Sequence, residues 1–576
     1  VQLKVDSNKP FSGLLDYIIK VRRINMNQKV RKIVSVILIL MISAVLLTAC
    51  GTTGTNTPAT QSGGDNGTSA STPTTAPQDD GKVFKNRVTI QIPVYDRGVE
   101  GQAPVDDNYW TRWIQKEFGD KNNITVEYVA IPRTDEVNKF NMLLAAGDAP
   151  DIIFHYDFPA AVAYYDAGAI QKIDIEMLKK YAPTYYQKNV DLDMLKYGVL
   201  NGEQYFIFAS RPTAYNWLTM IRQDWLDKVN MAMPTNLDEY INVLKAFRDN
   251  KLGGPNTIPA AHRLPYPNGY FANAYRPYPI PEEELALYSD LSVVALTWEP
   301  VKQNIKTDNL LYNEGLISPN FALDSDGTKA KADFVNGVAG VYGDYLTKQG
   351  IIDVLLSNVP DAKLSLLPAT AGVPKGGVPA ERAYWPFGMI IGFNSASSED
   401  EVKATMMLLE WMIQPDNLFT LQNGIEGKTY KMGDDGLPIA IGDYKGEERL
   451  NYNSNKDMWC LVIEGKDYGS PEANLKVQKT TYAPDGFEYL IQDRYEECVA
   501  NQKFWYTDFL FDTGISAVSE YKAILQEKFQ EFYTQLVMCD PSEFDALYEK
   551  CCKEYLDAGF QKIIDEKKAA YERMKR

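Results

Sequence analysis

From residue 88 onward apolar and polar side chains alternate. Val88, Ile90, Ile92 and Val94 share one face and Thr89 and Gln91 the other, which predicts a first strand ending at Pro93-Val94-Tyr95-Asp96. The same reading predicts a helix around residues 110–118 and a second strand over 124–129. Next come a helix carrying Val137, Phe140, Leu143 and Leu144 that stops at Gly147, and a short buried strand at 151–154. Strands alternating with helices predict a mainly parallel sheet whose ligand-facing residues lie beyond the strand carboxyl ends. Downstream, Pro234-Thr235-Asn236-Leu237-Asp238 and Ser398-Glu399-Asp400-Glu401 have the cap-and-carboxylate spacing of helix starts. After about residue 475 the pattern is aromatic and helical, closing with a charged amphipathic helix over 540–576 whose basic residues cluster in its last turns. Two readings stand for that end: helices packed on a core, or a partner-binding tail. No internal repeat is evident.

A different pattern precedes the first strand. Behind Lys29-Val30-Arg31-Lys32, the run from Ile33 to Ala49 carries no charge and ends at Cys50-Gly51. A basic flank, a hydrophobic stretch and small residues at its end are the parts of a secretory signal. Seventeen residues also just suffice to cross a bilayer, so a retained anchor is the alternative. Leu47-Thr48-Ala49-Cys50 resembles the lipobox of bacterial lipoproteins. That resemblance implies cleavage after Ala49 and two acyl chains on Cys50, a durable membrane anchor. Met26 is the expected start, with residues 1–25 an upstream over-extension. Of residues 51–80, 20 are Gly, Ser, Thr or Pro and none is Leu, Ile, Val or Phe. Such a segment cannot bury enough apolar area to offset its ordering entropy, so it reads as a tether reaching about 30 Å.

Composition narrows the function. The chain of 576 residues carries 59 Lys+Arg against 76 Asp+Glu, a net charge of −17. From Cys50 onward the count is 51 against 74, or −23. This acidity excludes a nucleic-acid binder, which needs a basic face to displace counterions. It also disfavours a polyanionic ligand. Two histidines make His-based metal or triad chemistry hard to assemble, whereas 36 Tyr, 23 Phe and 9 Trp point to surfaces that bind by stacking. Besides Cys50, the cysteines 460, 498, 539, 551 and 552 show no Cys-x-x-Cys spacing. They read as free thiols, with a single bridge left open. Gly427-Lys428-Thr429 lacks the first glycine of a phosphate loop because Gln422 holds that position, and no Gly-x-Ser-x-Gly occurs.

Asn141-Met-Leu-Leu-Ala-Ala-Gly147-Asp148-Ala-Pro150-Asp151-Ile-Ile-Phe154 resembles the Ala-Gly-Asp-x-Pro-Asp-Ile signature of extracellular solute-binding proteins of carbohydrate ABC importers. The resemblance continues through Tyr165–Ala169, Tyr181–Pro183, Ile221–Leu226, Pro234-Thr235, Leu244–Phe247, Glu314–Ile317 and Phe334–Gly337. Gly424–Tyr430 and the closing helix resemble its long lipoprotein branch, often named for lipoprotein LplA, so that roughly residues 86–576 are covered. The local physics of the signature is a turn: Gly147 ends a helix and Pro150 prevents its restart. The resemblance implies a periplasmic-binding-protein type II fold: two discontinuous α/β domains, a hinge and a helical C-terminal extension. We expect the first domain at 86–211 and 363–415 and the second at 212–362 and 416–576, after a signal over 1–49 and a tether over 50–85.

The implied role is capture of an oligosaccharide in an interdomain cleft for ABC permease subunits, without catalysis, cofactor or nucleic acid, as a monomer tethered to the membrane. Sugar recognition needs flat apolar surface for ring faces and planar polar groups for paired hydroxyls. The candidates are Tyr95, Asp96, His155, Tyr156 and Asp157 at strand ends, and Arg211, Tyr215, Asn216 and Trp217 near a crossover. Trp385 lies after the return crossover, and Tyr345 matches an aromatic that stacks on sugar in related proteins. For any one aromatic, core packing is an equal alternative. A uronic acid would need arginines in the cleft; Arg97, Arg211, Arg222 and Arg382 are available, with a structural role the alternative for each. Where many relatives carry a calcium loop, Asp249–Pro259 is interrupted by Lys251, Leu252 and Pro255 and lacks the terminal acids, so calcium is expected to be absent. Asp324-Ser325-Asp326-Gly327 reads as a solvated turn. A secreted glycoside hydrolase or lyase, or a receptor for a peptide or signal, are the alternatives from other classes.

Overall fold

The computed structural model describes residues 84–264, 278–290, 292–347, 350–450 and 457–575. The expected signal, Cys50 and the tether therefore lie outside the described residues. The first lobe opens with β1 (Val88–Asp96) and β2 (Ile124–Pro132), parallel and paired from Val88–Ile124 to Asp96–Pro132. β3 (Ile152–His155) follows, held beside β1 by the Asp151 amide donating to the Gln91 carbonyl and the Gln91 amide to Asp151. Short β4 (Ile170–Gln171) and β5 (Ile207–Ser210) complete its first pass. The chain then forms a second sheet from β6 (Trp217–Arg222), β7 (Ile258–Ala260), β8 (Ala339–Tyr345) and β9 (Leu364–Leu366), in the order β9-β6-β8-β7. It returns to the first lobe as β10 (Phe387–Asn394), antiparallel to β3, β4 and β5. All eight residues of β10 are buried, which explains a continuous apolar run with no alternation.

Strand pairing is therefore mixed, not mainly parallel as the pattern predicted: the β1–β2 and β8–β7 pairs are parallel, while the returning strand is antiparallel to all its partners. The helix over Glu136–Ala146 ends at Gly147 with φ +76°, as its sequence requires, but only Phe140 of its apolar set is fully buried. Ser398 and Glu401 form a reciprocal capping box. At the other expected start the cap is Asn236, and Glu239 reaches back to Thr235. The closing amphipathic segment is two helices, Phe544–Tyr555 and Gln561–Met574, because Gly559 at φ +126° breaks the run between them. Together with Ser516–Met538 they bury Leu525, Phe532, Leu536, Tyr555 and Ile563 in the second lobe's core. All five described cysteines are free thiols. Among the described residues no helix is long and apolar enough to cross a membrane.

Two domain boundaries move. Residues 364–366 pair with β6, and Leu367 and Ala371 lie in the second core, so the return to the first lobe comes after them instead of at 363. Leu421 and Met458–Ile463 are buried with the first core, so the last crossing falls near residue 464 and not at 415. Leu475, Leu490 and Ile491 then join a core with Leu218 and Met220 of β6. A three-residue strand such as Leu364–Leu366 carries no local mark of which sheet it will complete.

The chain thus passes between the lobes three times, and the three passages lie side by side. The Ser210 amide donates to the Val462 carbonyl at 3.3 Å and the Glu464 amide to the Ser210 carbonyl at 2.7 Å. The Arg211 amide donates to the Pro386 carbonyl at 2.8 Å.

Candidate functional site

Each passage contributes one polar or aromatic side chain to a common cluster. Arg211 Nε and Nη2 both lie 2.5 Å from Glu464 Oε2, and the guanidinium carbon sits 4.8 Å from the centre of the Tyr384 ring. The second lobe adds Tyr345, at the carboxyl end of β8, with Trp217 opposite it in the register and their rings edge-on at 4.6 Å. The Tyr345 phenol is pushed up to about 12, by burial first and then by its contact with Tyr384. Yet Tyr345 remains 52% and Tyr384 66% exposed, so both present ring surface to solvent. Large exposed aromatics beside a partly buried ion pair form a surface that can stack on a sugar ring and bond its hydroxyls.

The strand ends of the first lobe build a wall. Tyr95 is fully buried and stacks on Tyr156, ring centres 5.9 Å apart, with the Arg133 guanidinium 4.9 Å from the Tyr95 ring. Arg133 pairs with Glu136 at 2.7 Å, and His155 Nε2 lies 3.0 Å from the same carboxylate. Burial raises the Glu136 carboxyl, but His155, Tyr95 and Arg133 outweigh it and hold it below the usual value. His155 Nδ1 accepts the Asp157 amide. Tyr95 and His155 therefore support the wall from within, and Tyr156 is the partly exposed ring in front of them. Asp96 accepts the Gly98 amide, closing a turn.

Asp157 is the member of this wall that looks across the molecule. Burial pushes its carboxyl up; His155, Lys522 and Arg382 oppose that and Asp290 adds to it. Lys522 belongs to the helix Ser516–Met538 of the second lobe, and Arg382 is held by Asp508. A further polar group stands one step past Glu464: Lys466 Nζ donates to Asn423 Oδ1 at 3.1 Å, and the Tyr468 hydroxyl meets the same oxygen at 3.2 Å. Burial brings the Lys466 ammonium down to about 8.

Three expected residues fall elsewhere. Trp385 lies against the first core, parallel to Phe387 with centres 6.0 Å apart and 4.9 Å from Tyr197, so its neighbour Tyr384 takes the exposed place. Tyr215 is half-buried against Tyr495, and Asn216 is buried and bonds the Leu346 carbonyl. Sequence reasoning missed Tyr384, Glu464 and Lys466. Of these only Tyr384 had a local signal, its place beside a crossover and next to the named Trp385.

The segment expected to have lost calcium is a closed turn. Asp249 is bound by Arg248, and Thr257 accepts the Gly253 amide and donates to the Gly254 carbonyl. Among the described residues no group of three or more His, Cys, Asp or Glu is placed to hold a metal ion. Asp324 is not solvated: it is buried and accepts the Lys329 and Ala330 amides at the start of the helix Thr328–Val335. A cavity of about 950 Å³ lies apart from the cluster, between Trp298, Tyr288, Glu284 and the Val373–Val378 loop.

Two mixed α/β lobes joined by three side-by-side passages, with an aromatic and ion-paired cluster where they meet, define a binding protein of the two-lobed class. Residues 101–417 match the model of the bacterial extracellular solute-binding protein family, and the chain belongs to that family. It is 23% identical over 359 residues to lipoprotein LipO of Bacillus subtilis strain 168, covering 61% of this chain and 68% of LipO. It is 24% identical over 331 residues to the polygalacturonan/rhamnogalacturonan-binding protein YtcQ of the same organism, covering 56% of this chain and 64% of YtcQ. Its fold is that of an HMO-binding, ABC-transporter-associated solute-binding protein from Bifidobacterium longum infantis: TM-score 0.61, 18% identity, 84% of this chain and 98% of that one.

Proposed function

We propose that the protein is a lipid-anchored receptor that takes an oligosaccharide between its lobes and presents it to the permease of an ABC importer. The observation that carries this reading is the cluster where the passages meet. Arg211, Tyr384 and Glu464 come one from each passage, beside the exposed Tyr345 of the second lobe. A ligand seated there touches every segment that must bend when the lobes move, so binding and closure are coupled. Trp217 packs edge-on against Tyr345, and Tyr156 stands within electrostatic reach of Glu464. The carbohydrate class is supported by the likeness to YtcQ, a polygalacturonan/rhamnogalacturonan-binding protein, and to the HMO-binding protein. The anchor is supported by the Leu47–Cys50 motif and by LipO's being a lipoprotein. The receptor acts as a monomer without covalent chemistry, and its permease subunits are separate chains.

The test is incubation of the chain from residue 84 onward with a panel of oligosaccharides, read by melting temperature and by release of reducing ends. A binder raises the melting temperature, by an amount equivalent to about 2.7 kcal/mol at a hundred times Kd, and releases no reducing ends. Turnover abolished by carboxylate substitution would show a glycosidase instead. Failure of every glycan to bind would return the peptide or signal receptor to first place. For the anchor, Cys50→Ala in the expressed precursor should move the protein from the membrane fraction into the medium.

A further inference from the structure

We infer that the site selects an uncharged oligosaccharide and discriminates against chains of uronic acids. This inference rests on the sugar-receptor reading and sharpens its ligand. An ionised carboxylate only accepts hydrogen bonds, so a uronate needs a guanidinium or ammonium whose charge is not already matched by another carboxylate. The arginines at the strand ends and passages are committed. Arg97 is bidentate to the buried Asp457, at 2.7 and 2.9 Å. Arg133 is held by Glu136, Arg211 by Glu464 and Arg382 by both oxygens of Asp508. Arg222 lies away from the cluster, buried and bidentate to Asp224.

The carboxylates accompanying these arginines leave the site without an excess of positive charge. Asp157 adds one more negative group where the lobes face each other, opposite Lys522, while Asp290 is balanced by Lys567 at 3.0 Å. A uronate brought here would meet guanidinium groups whose partners repel it, and would have to desolvate its charge without full compensation. The polygalacturonan/rhamnogalacturonan-binding relative makes the acidic alternative the one that likeness alone would suggest.

An ion pair suits a hydroxyl better than either charge alone does. Arg211 directs Nε and Nη2 to the same oxygen of Glu464, Oε2. Nη1 is then a donor and Glu464 Oε1 an acceptor on one rigid unit. A vicinal diol can accept from the first and donate to the second, which a carboxylate, having no proton, cannot. Among the described passage residues, Lys466 has an amide, Asn423, as its partner instead of a carboxylate, so it and Lys522 of the second lobe are the ammonium groups an acidic sugar could use.

The experiment is calorimetry at low ionic strength with neutral and uronic oligosaccharides matched in length: xylo-, manno- and galacto-oligosaccharides against oligogalacturonate and oligomannuronate. At least one neutral series should bind at least tenfold tighter than either uronate. Glu464→Gln frees Arg211 and should shift the neutral-to-uronate ratio at least tenfold toward the uronates. A wild-type preference for a uronate overturns the inference and leaves the receptor reading standing. Binding of neither class overturns both.

Discussion

Arg211 and Glu464 stand 253 residues apart in the chain and meet at 2.5 Å. The contact joins the first passage between the lobes to the third, and the Tyr384 ring beneath the guanidinium brings in the second. Glu464→Gln keeps the shape and removes the charge. It should weaken neutral oligosaccharide binding at least tenfold, about 1.4 kcal/mol or more, while stability falls by less because the pair is partly exposed. Calorimetry beside thermal unfolding separates the two effects.

Neighbouring aromatics should behave in opposite ways. Tyr345→Ala and Tyr384→Ala remove exposed rings, so we expect a loss of affinity of about 1–3 kcal/mol with little change in melting temperature. Trp385→Ala removes a ring packed on Phe387 and Tyr197 and should destabilise the fold by roughly 3 kcal/mol. If Trp385→Ala lowered affinity at unchanged stability, the assignment of the two positions would be reversed.

Gly388 holds a place for Glu464. A Cβ built there would lie 2.6 Å from the Glu464 Cβ and crowd its carboxylate. Gly388→Ala is therefore expected to displace the carboxylate, at a cost of about 1–3 kcal/mol in stability, and to weaken ligand binding much as Glu464→Gln does. The double variant measures this coupling: the two losses in affinity should not add.

The Lys466 ammonium, lowered by burial from 10.5 to about 8, gives a pH signature. Between these values the unfolded chain binds the proton and the folded chain does not, so this group makes stability rise with pH across that window. Below pH 8 both states are charged and the burial cost, on the order of 3 kcal/mol, is present in full. Denaturant unfolding of wild type and Lys466→Met from pH 7 to 10.5 should show the difference between them shrinking as pH rises.

These variants also mark what could be read from residues alone. β1 and the helix ending at Gly147 follow from spacing and cap chemistry, which are local. Arg211, Trp217 and Tyr345 were legible because they lie at strand ends or crossovers, where a two-lobed fold exposes side chains. Glu464 was not: nothing near it in sequence announces a partner 253 positions away. Tyr384 and Trp385 could not be told apart because adjacent residues of an extended segment face opposite ways. The register also shifts between Phe387 and Ile390, which removes the parity that would have decided it. The antiparallel entry of β10 and the attachment of Leu364–Leu366 to the second sheet were set by tertiary pairing, which a hydrophobic pattern does not encode.

The side-by-side passages also have a mechanical consequence. A single strand between two bodies permits bending and twisting in every direction; three strands bonded edge to edge resist torsion and leave one easy axis, parallel to the plane of the ribbon and across its strands. Arg211, Tyr384 and Glu464 ride on that ribbon, close to the pivot, and travel least as the lobes approach, whereas groups that each lobe carries away from it travel farther. A sugar can therefore dock first at the fulcrum in the open protein, and the strength with which it keeps the jaws shut is decided by the groups farthest from it.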